Sequence, residues 1–140
     1  MKDSFDMITD VRSLINVPTI ADAITGKVYP FVRPNNSDKV DIVIGRLYLQ
    51  NQQIQNGAVN IRIHAPSIQG ALDGKVQSMP DMVAFSQVTN LLLPLLDNQF
   101  RDTFSTEVII PGDVIKDSDG TYFCLIRISY QSYNSNYKNI

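Results

Sequence analysis

The sequence contains few of the residues from which catalytic and metal sites are usually built. Its 140 residues include one cysteine, one histidine and no tryptophan. A lone Cys124 can form neither an intramolecular disulfide nor a cysteine-based zinc site. It lies in the apolar run Tyr122–Ile126, where a thiol is buried and inert. We therefore expect Cys124 to act as a small buried hydrophobe.

Clustered positive charge and long apolar runs are also missing. The 12 Lys and Arg residues are spread along the chain, no two of them adjacent, and the net charge is −2. Nucleic-acid binding normally requires clustered basic residues that displace phosphate counterions, so we expect no specific nucleic-acid partner. The apolar run Leu91–Leu96 contains Pro94 and is much shorter than a membrane span. Met1–Asp6 lacks the basic-then-apolar pattern of a signal peptide, so we expect neither secretion nor a membrane location.

The overall composition is that of a folded globular domain. Hydrophobic residues make up 44% of the chain and charged residues 19%, which is typical of such domains. A chain of this length fits one domain that buries a core without disulfides or metals. We predict a single domain over residues 1–131, followed by a flexible polar tail over residues 132–140.

Hydrophobic periodicity predicts three helices. The first covers Asp3–Asn16 and is capped by Asp3 or Ser4, and a short second helix begins at Pro18 and ends before Gly26. The main helix runs from Met82 to about Phe100, with Pro94 kinking or ending it. Ser78 and Asp81 resemble a capping box before this helix.

Branched and aromatic residues in short runs predict five strands. They are Lys27–Arg33, expected at a sheet edge because of Pro30, then Val40–Gln50 with a bulge at Gly45, Ala58–Ala65, and a final hairpin of Phe104–Lys116 with Thr121–Gln131. Pro66–Met79 is expected to be a loop. The order α-(α)-β-β-β-α-β-β predicts an α+β fold, a mostly antiparallel sheet with helices packed on one face.

No combination of residues indicates chemistry. His64 would need a nucleophile or further ligands beside it, and no motif supplies them, so we place it on the wet face of a strand. The turn Asp117–Gly120 imitates part of a calcium loop, but aligning Gly120 with the loop's invariant glycine puts Ile115 and Ile126 at ligand positions. We therefore predict no catalytic, cofactor-binding or metal-binding residues, no cofactor, and no enzymatic activity.

Two polar segments are instead candidates for contacts with other proteins. The first is the amide-rich connection Gln50–Gly57 between two strong strands, whose side chains can both donate and accept hydrogen bonds. The second is the tyrosine-containing C-terminal segment, which could become ordered on assembly. A solvated hairpin tip and a frayed chain end are the respective alternatives. The candidate interface residues are Gln50, Asn51, Gln52, Gln53, Ile54, Gln55, Asn56, Tyr130, Tyr133 and Tyr137.

The element order and two local phrases resemble the tail-terminator and tail-completion proteins of long-tailed phages. The first phrase is Gly26–Pro30 (Gly-Lys-Val-Tyr-Pro), which leads into the first strand. The second is Val59–Ala65 (Val-Asn-Ile-Arg-Ile-His-Ala), which ends a later strand and precedes the main helix. The resemblance covers roughly Asp10 to Tyr130. The long amide-rich connection and the Pro66–Met79 segment depart from that family's pattern.

The resemblance implies a structural role in a phage particle. It implies a homo-oligomeric ring, usually of six copies, that caps the tail tube, stops its growth and joins it to the head. The partners would be further copies of the chain, the tail tube protein and the head or neck connector. The protein would be located in the virion, at the tail or neck, after assembly in the bacterial host cytoplasm.

Three other functions remain open. The chain could be a head-closure or minor tail protein, or the matching component of a phage-derived injection machine. From a different class, it could be a small non-viral binding module that uses the open sheet face of Asn60, Arg62 and His64. That last function requires a concave pocket with convergent polar groups.

Overall fold

A computed structural model describes residues 1–51 and 54–133 of the chain. Its three helices are α1 (Ser4–Ile15), α2 (Pro18–Ala21) and α3 (Met82–Leu96). The strands are β1 (Val28–Pro30), β2 (Asp41–Gln50), β3 (Ile54–His64), β4 (Ile68–Leu72), β5 (Lys75–Met79), β6 (Gln99–Phe100), β7 (Phe104–Lys116) and β8 (Tyr122–Tyr133).

Six of the strands form one curled sheet in the order β1-β2-β3-β8-β7-β6. All neighbouring pairs in it are antiparallel except β1 and β2, which run parallel. The predicted α+β class is confirmed. The edge position expected for the strand containing Pro30 is also confirmed, since β1 lies at the end of the strand order.

One face of this sheet and the three helices enclose the core. Ile61 of β3 lies opposite Ile44 of β2 on one side and Ile126 of β8 on the other, and all three side chains are fully buried. From the helices, Met7, Ile8, Val11, Ile15, Ile20, Phe85, Val88, Leu92 and Leu96 pack against this face. The helical periodicity of the sequence therefore marks the buried sides of α1 and α3, except at Phe5 and Met82, which are exposed.

The helix ends follow from local side-chain chemistry. Asp3 caps α1 and forms a reciprocal capping box with Asp6, which satisfies amides that the first turn leaves free. Asp81 caps α3 by accepting from the amide of Ala84. The predicted capping box of Ser78 and Asp81 is wrong, because Ser78 belongs to β5.

Two predicted helix ends also change. The main helix continues past Pro94 but ends at Leu96, so the predicted end at Phe100 was wrong and that residue lies in β6. The short second helix ends at Ala21, with Asp22 as its C-cap, well before Gly26.

The Pro66–Met79 segment, predicted as a loop, forms a second sheet of two strands. β4 and β5 are antiparallel, with Ile68 opposite Met79 at one end and Leu72 opposite Lys75 beside the turn. The turn residues Asp73 and Gly74 both have positive φ, 52° and 77°, as the two central residues of a type I′ hairpin turn require. The Asp-Gly pair is the sequence signal that should have identified this hairpin.

The amide-rich connection is shorter than predicted, because β3 extends into it, whereas β2 ends at Gln50 as predicted. β2 continues to Gln50, β3 begins at Ile54, and Gln50 pairs with Asn56. The register shift in β2 falls between Arg46 and Tyr48 rather than at Gly45. At the other end of the chain, β8 runs to Tyr133, so Ser132 and Tyr133 belong to the sheet and not to the tail predicted to start at residue 132.

Candidate interaction surfaces

The candidate interface residues of both polar segments meet at one end of the six-stranded sheet. Ile54, at the start of β3, lies directly opposite Tyr133, at the end of β8. Gln50, Asn51 and Ile54 are exposed there, and Asn56 and Tyr133 are half-buried. Gln52, Gln53 and Tyr137 lie outside the described residues. We call this end, formed by Gln50, Asn51, Ile54, Asn56 and Tyr133, the amide end.

Gln55 lies at this end but points into the protein and was wrongly placed on the surface. Its side chain is 2% exposed. Its Oε1 accepts from the Lys2 amide at 2.9 Å and from Ser132 Oγ at 2.7 Å. Its Nε2 donates to the Lys2 carbonyl and to Asn51 Oδ1, each at 2.8 Å. Because all four hydrogen-bonding positions of the amide are used inside the chain, Gln55 ties the first residues to β3 and β8.

Tyr130 is the second interface candidate that the structure places in the interior. Its side chain is fully buried, and its hydroxyl donates to Asp10 Oδ2. Burial, and then the hydrogen bond to Asp10, raise the pKa of the Tyr130 hydroxyl above its usual range. The ring also stacks on Phe104 with 5.8 Å between centroids. The phenol therefore belongs to the core, and the polarity of the surrounding sequence concealed this.

The opposite end of the sheet is charged. Arg33, Asn35, Asn36, His64, Asp117, Asp119 and Thr121 line a polar cavity of about 420 Å³ there. We call these residues the charged end. Burial, followed by the positive charges of Arg33 and Arg62, lowers the pKa of His64 to about 4. Hydrogen bonds from the Thr121 side chain and amide lower the pKa of Asp119.

A buried carboxylate lies beneath the charged end. Asp41 is fully buried, and its Oδ2 accepts from Ser37 Oγ and, at 3.3 Å, from Arg33. Its Oδ1 has no hydrogen-bond partner among the described residues. A Cβ on Gly26 would come within 1.7 Å of that oxygen, so Oδ1 points at the Gly26 backbone and not into the cavity.

The polar side chains on the open sheet face largely have their partners within the chain. Asn60 is buried, and its Oδ1 accepts from Arg127 Nε at 2.8 Å. The Arg62 guanidinium lies 5.7 Å from the centre of the Phe123 ring, and His64 packs against the same ring. These three polar side chains therefore already have partners within the chain, and His64 also lines the polar cavity at the charged end.

Two of the regions that expose apolar side chains are the β4–β5 hairpin and the Phe5–Phe31 pair, while α3, β6 and β7 expose others, among them Val83, Phe100 and Ile109. The β4–β5 hairpin exposes Ile68, Leu72 and Val76, the last at 74%. Among the described residues its extensive contacts are between its own two strands. Phe5 and Phe31 form an edge-to-face pair beside the β1 edge, with 5.6 Å between ring centroids, and both remain exposed.

An open groove of about 190 Å³ lies between α3 and β7. Its lining is mostly apolar and includes Met82, Phe85, Pro111, Gly112, Val114 and Cys124. Gly112 has φ of +140°, a backbone conformation that favours glycine. We call this feature the α3–β7 groove. No local sequence signal predicts it, because it depends on where a bulged strand passes a helix.

Within the described part of the chain, no three His, Cys, Asp or Glu side chains are grouped so as to hold a metal ion. None of the described helices is long and apolar enough to cross a membrane. In comparisons with known proteins, no protein-family model and no curated sequence matches this chain.

Proposed function

We propose that this chain is a structural protein of a tailed-phage particle that forms a ring on the tail tube and joins it to the head. The observation that carries the proposal is the β4–β5 hairpin, which exposes Ile68, Leu72 and Val76 without an extensive contact to the rest of the described chain. An isolated two-stranded hairpin is at best marginally stable in water. Another protein chain packed against it would supply the missing apolar contact.

A subunit that carries two different contact surfaces favours assembly into a ring. Contacts between two different patches repeat head to tail, and they close into a ring when the rotation between copies permits. Here the apolar hairpin and the Phe5–Phe31 pair are different surfaces. The amide end and the charged end of the sheet also differ in chemistry. A ring of such subunits has two unlike faces. One face can bind the end of the tube while the other does not reproduce the tube's binding surface, so further tube subunits do not add.

The resemblance described above supplies the specific role. Its two phrases fall on β1 and its approach and on β3 and its end, while the β4–β5 hairpin and β6 are additions to the element order that the resemblance implies. The proposed partners are further copies, in a ring of about six by that resemblance, together with the tail tube protein and the head or neck connector. The proposed location is the virion, after assembly in the host cytoplasm. In this role no residue performs chemistry.

A small binding module on the open sheet face is the alternative from another class. It would use Asn60, Arg62 and His64, but Asn60 is buried against Arg127, and Arg62 and His64 pack on Phe123. A ligand would have to displace these internal contacts. The ring therefore accounts for more of the exposed surface than the binding module does.

Deleting the gene from its parent phage or prophage and imaging the particles by electron microscopy tests the proposal. The proposal predicts tails of uncontrolled length that are not attached to DNA-filled heads. Tails of normal length that fail to join heads would instead indicate a head-closure or joining protein. Intact particles in normal numbers would contradict both roles and favour the binding module.

A further inference from the structure

We draw no further inference here: the strongest candidate, the apolar surface patch of the exposed Phe5–Phe31 pair and the neighbouring Val32 beside the β1 edge, carries nothing because nothing in the structure shows what covers it.

Discussion

Tyr130 and Asp10 are 120 positions apart in the sequence, yet the Tyr130 hydroxyl donates a hydrogen bond to Asp10 Oδ2. The same carboxylate oxygen lies 2.6 Å from Lys2 Nζ, and that ammonium group lies 5.2 Å from the centre of the Phe104 ring. The first helix, the chain start and the last strand are therefore joined at the amide end. The exposed amides Gln50 and Asn51 lie at this same end of the sheet.

Replacing Tyr130 by Phe should weaken this junction. The change removes the hydroxyl but keeps the ring stacked on Phe104, so we expect a loss of about 1 to 2 kcal/mol in the free energy of unfolding. Urea denaturation followed by circular dichroism measures it. The matched control is Tyr48→Phe on exposed Tyr48, which should change stability by less than about 0.5 kcal/mol. Equal effects would show that the Tyr130–Asp10 bond is not stabilising.

Replacing Gln55 by Met should lower the free energy of unfolding more than Tyr130→Phe does, because it leaves several polar partners without a hydrogen bond. The Lys2 carbonyl, the Lys2 amide and Ser132 Oγ all lose their bond to this side chain. We expect a loss of about 2 to 3 kcal/mol, measured by urea denaturation, and faster proteolysis of the chain start. Gln50→Met, at an exposed position in β2, should be nearly neutral. A neutral Gln55→Met would contradict the internal role assigned to this amide.

Gly26 should tolerate no side chain. A Cβ there would lie 1.7 Å from Asp41 Oδ1 and 2.8 Å from the Val40 carbonyl oxygen, so Gly26→Ala should cost about 1 to 3 kcal/mol or more through overpacking. Thermal unfolding measures the change. Gly45→Ala is the control, since nothing lies within 4 Å of its Cβ position, and it should be neutral or stabilise by up to about 1 kcal/mol. The account is wrong about Gly26 if both variants behave alike.

His64 should make stability depend on pH. In the unfolded chain it takes up a proton near its ordinary pKa of 6.5, whereas in the folded protein burial and the charges of Arg33 and Arg62 lower the pKa to about 4. The unfolded state therefore binds more protons between these values, and this contribution to stability is lost as pH falls through that range.

The variant His64→Gln isolates the effect of this one titration. Urea denaturation at a series of pH values should show the parent protein losing more stability than His64→Gln between pH 6.5 and pH 4. Parallel pH profiles for the two proteins would contradict the lowered pKa of His64.

Local sequence signals predicted the main helices and strands well. They failed for buried residues that lie in polar segments of the sequence. Short-range patterns in the sequence predict the apolar face of α1, its N-cap at Asp3 and the hairpin of β7 with β8. Tertiary packing favours the same structures. Gln55 and Tyr130 were assigned to the surface because their neighbours are polar. In the fold, partners distant in sequence, Lys2, Ser132 and Asp10, satisfy them, and no local pattern reveals such partners.

The candidate surfaces were predictable only in part. The convergence of Gln50, Asn51, Ile54 and Tyr133 depends on β3 pairing with β8, which joins segments almost eighty positions apart. The β4–β5 hairpin did carry a signal, because Asp73-Gly74 between Leu72 and Lys75 is a turn pair within a run of strand-compatible residues. The two glycines of the Pro66–Met79 segment favoured a loop interpretation instead.

The location of the protein in the particle tests the central claim most directly. Immunogold electron microscopy of intact particles, with an antibody raised against the purified chain, measures it. The account predicts label at one position only, the junction between the head and the tail tube. Label distributed along the tube or over the head shell, or no label on the particle at all, would contradict it.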